Sequence, residues 1–401
     1  MARAKRLLAM VSFVALLACA PGEARAIDDA HRERGERMIA RAISYLRAQQ
    51  DPQTGAWGAN ADGPNFPAIT GLVLVGMLED PRLDAGDPSI SHGVEYLLTH
   101  QQADGGVYDR VLPSYNTAIA ISAMARADTP ETREAMPRAL AFLRGLQWSE
   151  EVPGAMRGVP EAPSAVPVEH PFYGGVGYGR NGRPDLSNTG FFLDALHDAG
   201  VSAEDPSVQR ALVFLRRIQM DETINDMPYA AGSRQGGFVY ATSEDRDTIG
   251  VGQSMAGTIE ETLSDGSVAS RLRSYGSMTY VGFKSFAYAN LAKDDPRVLA
   301  ASRWIMDHYT LEENPGAGTD GLYYYFMSFA KALDAWGLEK LNVRRPDGEM
   351  VERDWANDLI DRLAVLQNED GSFRSVDDRW MENNTILITA YSLIALQHAV
   401  N

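Results

Sequence analysis

Five segments of this chain repeat one short pattern, and that repeat constrains the fold more than any other feature of the sequence. In each segment an apolar helical residue is followed four places later by Gln, and then by a Gly-rich turn carrying an aromatic residue. The copies are Leu46, Gln50, Gly55 and Trp57; Leu98, Gln102, Gly106 and Tyr108; and Leu143 and Gln147, with Gly175, Gly177 and Tyr178 after an insertion. Leu215 and Gln219 follow, with Gly236, Gly237 and Phe238 after another insertion, and then Leu363, Gln367, Gly371 and Phe373. A single repeat cannot bury its own apolar face, so neighbouring units must share one core. The Gln closes a helix, where its amide is expected to bond unpaired backbone groups at neighbouring helix ends. The aromatic is expected to pack beneath it, which makes Trp57 core rather than a ligand platform.

Helical segments alternate in two styles around these repeats. Residues 32–50, 88–102, 131–147, 206–219, 296–309 and 352–367 are amphipathic with charged faces. Asp87-Pro88, Thr129-Pro130, Asp205-Pro206 and Asp295-Pro296 each place a capping residue before a Pro at the first helical position. Residues 67–79, 115–127, 187–199, 276–292, 320–336 and 384–398 are apolar on nearly all sides, as buried helices are. Six outer and six inner helices make the simplest closed arrangement an all-α (α/α)6 toroid. The repeat resembles the QW motif of the squalene cyclase and prenyltransferase family over nearly all of the chain after its leader. That resemblance also implies a closed toroid, forming one domain over residues 27–401. Long connections at 148–186 and 220–275 both leave the C-terminal end of an outer helix, so both are expected over one mouth of the toroid.

Residues 1–26 read as an export leader. Arg3, Lys5 and Arg6 precede an apolar run, Leu7 to Ala18, which is too short to span a bilayer. Ala24-Arg25-Ala26 offers a cleavage site that leaves Ile27 as the new N-terminus. A second option is a lipid anchor at Cys19, after Leu16-Leu17-Ala18. Cys19 is the only cysteine, so cleavage after Ala26 removes every disulfide and thiolate metal site. Cleavage there also removes Arg3, Lys5, Arg6, Arg25 and Glu23, taking the net charge from −17 to −20. Such a surface repels nucleic acid. No later apolar run is long enough for a transmembrane segment.

The starts of the inner helices converge on one end of the barrel, where free N–H groups favour polar ligand groups. Asn116-Thr117, Asn188-Thr189 and Asn384-Thr385 open three of them, with helix capping as the plain reading. Asp185, Asn188, Tyr275, Tyr280, Asp320, Tyr323, Tyr324 and Tyr325 lie near that end, and His170 is the one histidine expected at the mouth. An apolar pit rich in tyrosine has the character of a binding cavity. Helical spacing sends Tyr324 and Tyr325 about a hundred degrees apart, so only one of them should face it. Asp194, Lys284, Lys331 and Asp334 also lie on inner helices. They are expected in the groove between the rings or at the far end, with a buried Lys–Asp contact facing the cavity as the alternative. No histidine pair has metal-ligand spacing, so no metal and no cofactor is expected.

The resemblance implies chemistry that this chain does not reproduce. Squalene-type cyclases use an acid from an Asp-x-Asp-Asp motif. The nearest strings here are Asp294-Asp295 and Asp377-Asp378, with Ala292 and Ser375 where the first Asp would stand. Protein prenyltransferase subunits bind zinc with Asp, Cys and His, and complement-type thioester domains need a Cys. Both sets fail without a cysteine. The sequence therefore reads as an exported relative that binds an apolar or isoprenoid-like small molecule, or a partner segment, in a central cavity. The alternatives are a divergent terpene cyclase or carbohydrate-active toroid enzyme, and a structural envelope protein.

Overall fold

A computed structural model describes residues 27–58, 64–151, 165–179, 182–245, 252–263 and 266–401. The leader, its two cleavage options and Cys19 lie outside the described residues. Among the described residues, twelve α-helices alternate between two rings. The inner helices are α2 (Pro67–Leu78), α4 (Pro113–Ala127), α6 (Leu186–Asp198), α8 (Gly276–Tyr288), α10 (Leu322–Ala335) and α12 (Thr385–Val400). The outer helices are α1 (Asp29–Gln49), α3 (Pro88–Thr99), α5 (Pro130–Gly145), α7 (Pro206–Ile218), α9 (Pro296–Asp307) and α11 (Trp355–Leu366). Each inner helix packs on two inner neighbours, and α12 returns to α2, so the barrel is closed. The expected (α/α)6 toroid is the fold.

The repeated Gln is the staple of the outer ring. Gln50 Nε2 donates to the Gly55 carbonyl in its own turn and to the Ser89 carbonyl of α3, both at 2.9 Å. Gln147 joins the Gly174 and Ser207 carbonyls, Gln219 those of Gly236 and Arg297, and Gln367 those of Gly371 and Met38. The last of these bonds ties the final repeat back to α1. Two expectations need correction. The second copy uses Gln101, which joins Gly105 to Ala135 of α5, whereas Gln102 bonds the His100 and Tyr108 carbonyls. The acceptors on the next outer helix are carbonyls within that helix, not groups left unpaired at a terminus. The turn lets the chain pass this close. A Cβ on Gly174, at φ +85°, would lie 1.9 Å from the Arg210 carbonyl oxygen, so only glycine fits.

A threonine on the inner helix completes each unit. The N–H two residues after the turn glycine donates to Thr70, Thr117, Thr189, Thr279 or Thr389, from Trp57, Val107, Val176, Phe238 and Phe373 respectively. Val107 and Val176 therefore stand where Tyr108 and Tyr178 are expected. The three Asn-Thr dipeptides are not equivalent. Asn384 caps α12, accepting from Ile386 and Leu387 N–H. Asn116 is buried within α4 and bridges it to α2, accepting from Ala68 N–H.

Among the described residues, three antiparallel hairpins interrupt the helical pattern. They pair β1 (Gln219–Asp221) with β2 (Arg234–Phe238), β3 (Thr258–Thr262) with β4 (Val268–Leu272), and β5 (Lys340–Arg344) with β6 (Met350–Asp354). The connection at 220–275 is therefore not structureless, and α11 starts at Trp355 because β6 occupies the preceding residues. Along β5 the alternation is plain, with Leu341 and Val343 buried between exposed Lys340, Asn342 and Arg344.

Ion pairs from all six inner helices close the far end of the barrel. Arg126 joins Glu79 at 3.2 Å and Asp198 at 2.6 Å. Asp194 accepts from Lys284 and, at 2.9 Å, from Lys331. His398 lies 2.7 Å from Asp334 and 3.6 Å from Glu79, which links α12 to α10 and to the end of α2. The Lys–Asp contact is buried and lies at this end, away from the inner-helix starts. Burial favours neutral Asp194, but the two lysines hold its carboxyl below the usual range. Burial brings Lys284 down to about 8.

Candidate functional site

At the opposite end, where the inner helices begin, the barrel holds a cavity of about 210 Å³. Every inner helix reaches it, through Ile69, Tyr115, Ser187, Met278, Tyr324, and Leu387 with Tyr391. The two long connections contribute Tyr178, Tyr240 and Met255. Six tyrosines line it: Tyr115, Tyr178, Tyr240, Tyr275, Tyr324 and Tyr391. Their rings interlock, Tyr324 lying 5.9 Å from Tyr391 and 6.0 Å from Phe191, with Tyr115 edge-on to Phe191 at 5.2 Å. Edge-to-face packing of this kind holds rings at fixed angles, so the walls are stiff. Burial pushes the Tyr275 and Tyr391 hydroxyls well above their ordinary range. They stay neutral and can donate.

The sequence-derived candidates separate into wall, support and core. Tyr275 and Tyr324 are wall residues. Tyr325 points into the layer between the rings, where its hydroxyl donates to the Thr310 carbonyl at 2.7 Å. Tyr280 packs there too, 5.7 Å from Tyr325 and 5.0 Å from Phe329. Tyr323 is likewise turned outward, its hydroxyl donating to the Arg374 carbonyl. Of the consecutive tyrosines, only Tyr324 faces the cavity. Asp320 sits at the rim 3.1 Å from Arg379, whose guanidinium lies over the Trp380 ring. His170 stacks on Trp148 within the first long connection, 5.9 Å between centroids, and Arg217 pins that segment through the His170 carbonyl at 2.7 Å. The imidazole is not among the cavity walls, and burial holds its pKa below the ordinary value.

Two carboxyls set the polar chemistry. Asp185 caps α6, accepting from the Asn188 backbone N–H and from Asn188 Nδ2, each at 2.8 Å. It lies behind the wall formed by Tyr178 and Tyr240, and the Tyr240 hydroxyl supports its charged form. Burial outweighs these bonds and pushes its carboxyl up to about 7. Glu382 is a wall residue that no local sequence pattern marks. Helix α10 starts after Gly321, which has no side chain to cap it. Glu382 does so from a distant turn, accepting from Tyr323 N–H at 3.0 Å and Tyr324 N–H at 2.9 Å. Burial raises this carboxyl to about 7 as well. Trp380 and Met381 deliver it through φ values of +54° and +67°, a conformation costing roughly 1–3 kcal/mol per residue. Both side chains are cavity walls and are 45% and 43% exposed, so this strained turn forms the lip.

The raised carboxyls have a definite sign in stability. Between their ordinary range near 4 and about 7, the folded chain holds protons that the unfolded chain has lost. Stability then falls as pH rises through that window, by up to about 1.4 kcal/mol per pH unit for each group. Urea midpoints taken from pH 4.5 to 7.5 should decline less in Glu382→Gln than in the native chain. Parallel curves would remove Glu382 as a contributor.

The Asp pairs nearest to an Asp-x-Asp-Asp motif are occupied elsewhere. Asp295 caps α9 and pairs with Arg297 at 2.7 Å, and Asp377 accepts from Arg379 N–H at 2.8 Å. Among the described residues, no group of three or more His, Cys, Asp or Glu is arranged to hold a metal ion. No helix among them is long and apolar enough to cross a membrane.

No protein-family profile matches the chain, and no curated protein matches its sequence. Solved structures match its fold. The type II terpene cyclase MstE from Scytonema superposes with a TM-score of 0.52 at 13% identity, covering 92% of this chain and 98% of the cyclase. A D-mannose isomerase gives 0.56 at 12% identity, covering 94% and 99%. An α-1,6-mannanase from Salegentibacter gives 0.54 at 9% identity, covering 92% and 98%. At these identities the similarity is one of fold. The chain is an α/α toroid like those of terpene cyclases and carbohydrate-active enzymes.

Proposed function

We propose that the cavity takes an apolar, isoprenoid-like molecule, and that the chain acts on it as a divergent terpene-cyclase-like enzyme. The observation that carries this reading is the lining. Six tyrosines and a set of Phe, Ile, Leu, Met and Trp side chains surround three other polar groups, Ser187, Ser277 and Glu382. An apolar cavity of about 150 Å³ holds benzene. One of about 210 Å³ accepts a somewhat larger apolar group. A longer chain would leave past Tyr178, Trp380 and Met381.

The carboxyls limit the chemistry. An acid that titrates near 7 is too weak to protonate an isolated alkene without a further activating group, but it is well matched to proton exchange with an oxygen at neutral pH. Glu382 is placed to hold or release such a proton at a hydroxyl, carbonyl or ether of an otherwise apolar ligand. Asp185 reaches the cavity only through the Tyr178 and Tyr240 wall. The second reading, a carbohydrate-active toroid, is favoured by the tyrosine platforms and the two carboxyls. The apolar lining argues against it, because a sugar would leave hydroxyls unpaired against Ile69, Met278 and Leu387. A structural role calls for a barrel filled by side chains, and this barrel holds a cavity.

Native mass spectrometry of protein purified from its own host tests the proposal. An apolar adduct of isoprenoid composition is expected. Tyr324→Ala should weaken its retention about tenfold or more, since a buried ring contact is lost, while Tyr324→Phe keeps it. A retained sugar, or equal retention by Tyr324→Ala, would sink the isoprenoid reading.

A further inference from the structure

The far end of the barrel has a pocket of its own, about 110 Å³, which shares no wall residue with the tyrosine-lined cavity. Ile27, Asp334, Glu339, Trp355, His398 and Ala399 are among its walls. Ile27 is only 8% exposed and belongs to the hydrophobic core, directly before the residue that caps α1, Asp28. Its side chain is thus an anchor, and it lines the same small pocket as Asp334. Three features make this pocket favour a cation. Asp334 and Glu339 bring carboxylates to it. Asp334 is in the last turn of α10, and His398 and Ala399 are in the last turn of α12, so two helix C-termini present their negative ends. Asp334 is also joined through His398 to Glu79, a further carboxylate at this end of the barrel.

The sequence places a cleavage pattern, Ala24-Arg25-Ala26, immediately before this anchored residue. We infer that cleavage of the Ala26–Ile27 bond creates an α-ammonium that docks in this pocket against Asp334, so that removal of the leader ties the start of α1 to the ends of α10 and α12. The step is hydrolysis by a signal peptidase. Water adds across the amide, its hydroxyl completing the Ala26 carboxyl group and its proton completing the Ile27 amine, which takes up a second proton from solvent. A free α-amino group has an ordinary pKa near 8. Beside a carboxylate it stays protonated to higher pH, and it reacts more slowly with acylating reagents.

The test uses the full chain exported with its own leader. N-terminal sequencing should begin at Ile27. A limiting dose of an N-hydroxysuccinimide acetate at pH 7 should label the Ile27 amine about tenfold more slowly in the folded protein than in urea, one pKa unit of protection. A chain that retains Ala26 should be labelled at the unfolded rate, because its amine is carried out of the pocket. Asp334→Asn should recover most of the lost reactivity. A mature chain starting at Cys19 or any other residue overturns the inference. So does an Ile27 amine that reacts equally fast folded and unfolded, a comparison that needs no variant.

Discussion

Replacing Asp194 by Ala should cost about 3–5 kcal/mol of folding stability, the largest loss expected from any single substitution at the far end of the barrel. Asp194 is 2% exposed and is the shared acceptor of Lys284 and Lys331, themselves 3% and 6% exposed. Without it, two ammonium groups remain where water cannot reach them. The Tyr288 ring, 5.5 Å from Lys284 Nζ, offers only a weak alternative. The variant's cheapest escape is to fold with one lysine neutral. Burial already brings Lys284 down to about 8, and losing the carboxylate takes it lower. A lysine with a depressed pKa is protonated when unfolded and neutral when folded, so stability rises with pH between its folded and unfolded values. The Asp194→Ala deficit in urea unfolding should therefore be larger at pH 7 than at pH 9. Equal midpoints for variant and native chain at pH 7 would show that the two lysines reach solvent or another acceptor.

This triad illustrates what the sequence reveals and what it hides. Charges on an otherwise apolar helix are visible at once, and Lys284, Lys331, Asp194 and Asp334 stand out. Their pairing is not visible, because Asp194 and Lys331 are 137 residues apart and meet only when the ring closes. The rings themselves were legible because two local signals agree. Apolar periodicity separates buried helices from half-buried ones, and Asp-Pro or Thr-Pro marks the starts of α3, α5, α7 and α9. The slip from Gln101 to Gln102 has a physical cause. Two adjacent glutamines both lie near a turn glycine, and what distinguishes them is the Ala135 carbonyl on α5, together with Thr117 on α4, which accepts from Val107 N–H two residues after Gly105. Tyr324 could be separated from Tyr325 by helical angle, though which one faces inward depends on α10's neighbours. Glu382 was hidden altogether. Its partners are the first N–H groups of α10, nearly sixty residues earlier, and it reaches them only through the left-handed Trp380-Met381 turn.

Deleting residues 380–401 should abolish cooperative unfolding rather than merely lower its midpoint. The deletion removes α12, which packs against α10, α2, α1 and α11 and is the member that closes the inner ring. Leu387, Ile388, Leu393, Ile394 and Leu396 on this helix are all at most 4% exposed. At roughly 1.5–3 kcal/mol for each buried side chain, these five together amount to about 7.5–15 kcal/mol, as much as a typical net stability of 5–15 kcal/mol. Their loss also bares the faces of α2 and α10 that they cover. Gln397 donates to the Gly76 carbonyl across the seam at 3.1 Å, and His398 bridges Asp334 and Glu79, so polar contacts across the closure go as well. In an open solenoid the end unit has one neighbour, and trimming it leaves the rest able to fold. In a closed ring every inner helix has two, and opening the ring exposes two apolar faces at once. The truncated chain should therefore lack a sharp urea transition and bind a hydrophobic dye in the absence of denaturant. A soluble product with an unchanged, steep transition would show that α12 is an appendage, and that the toroid's stability does not depend on closure at this seam.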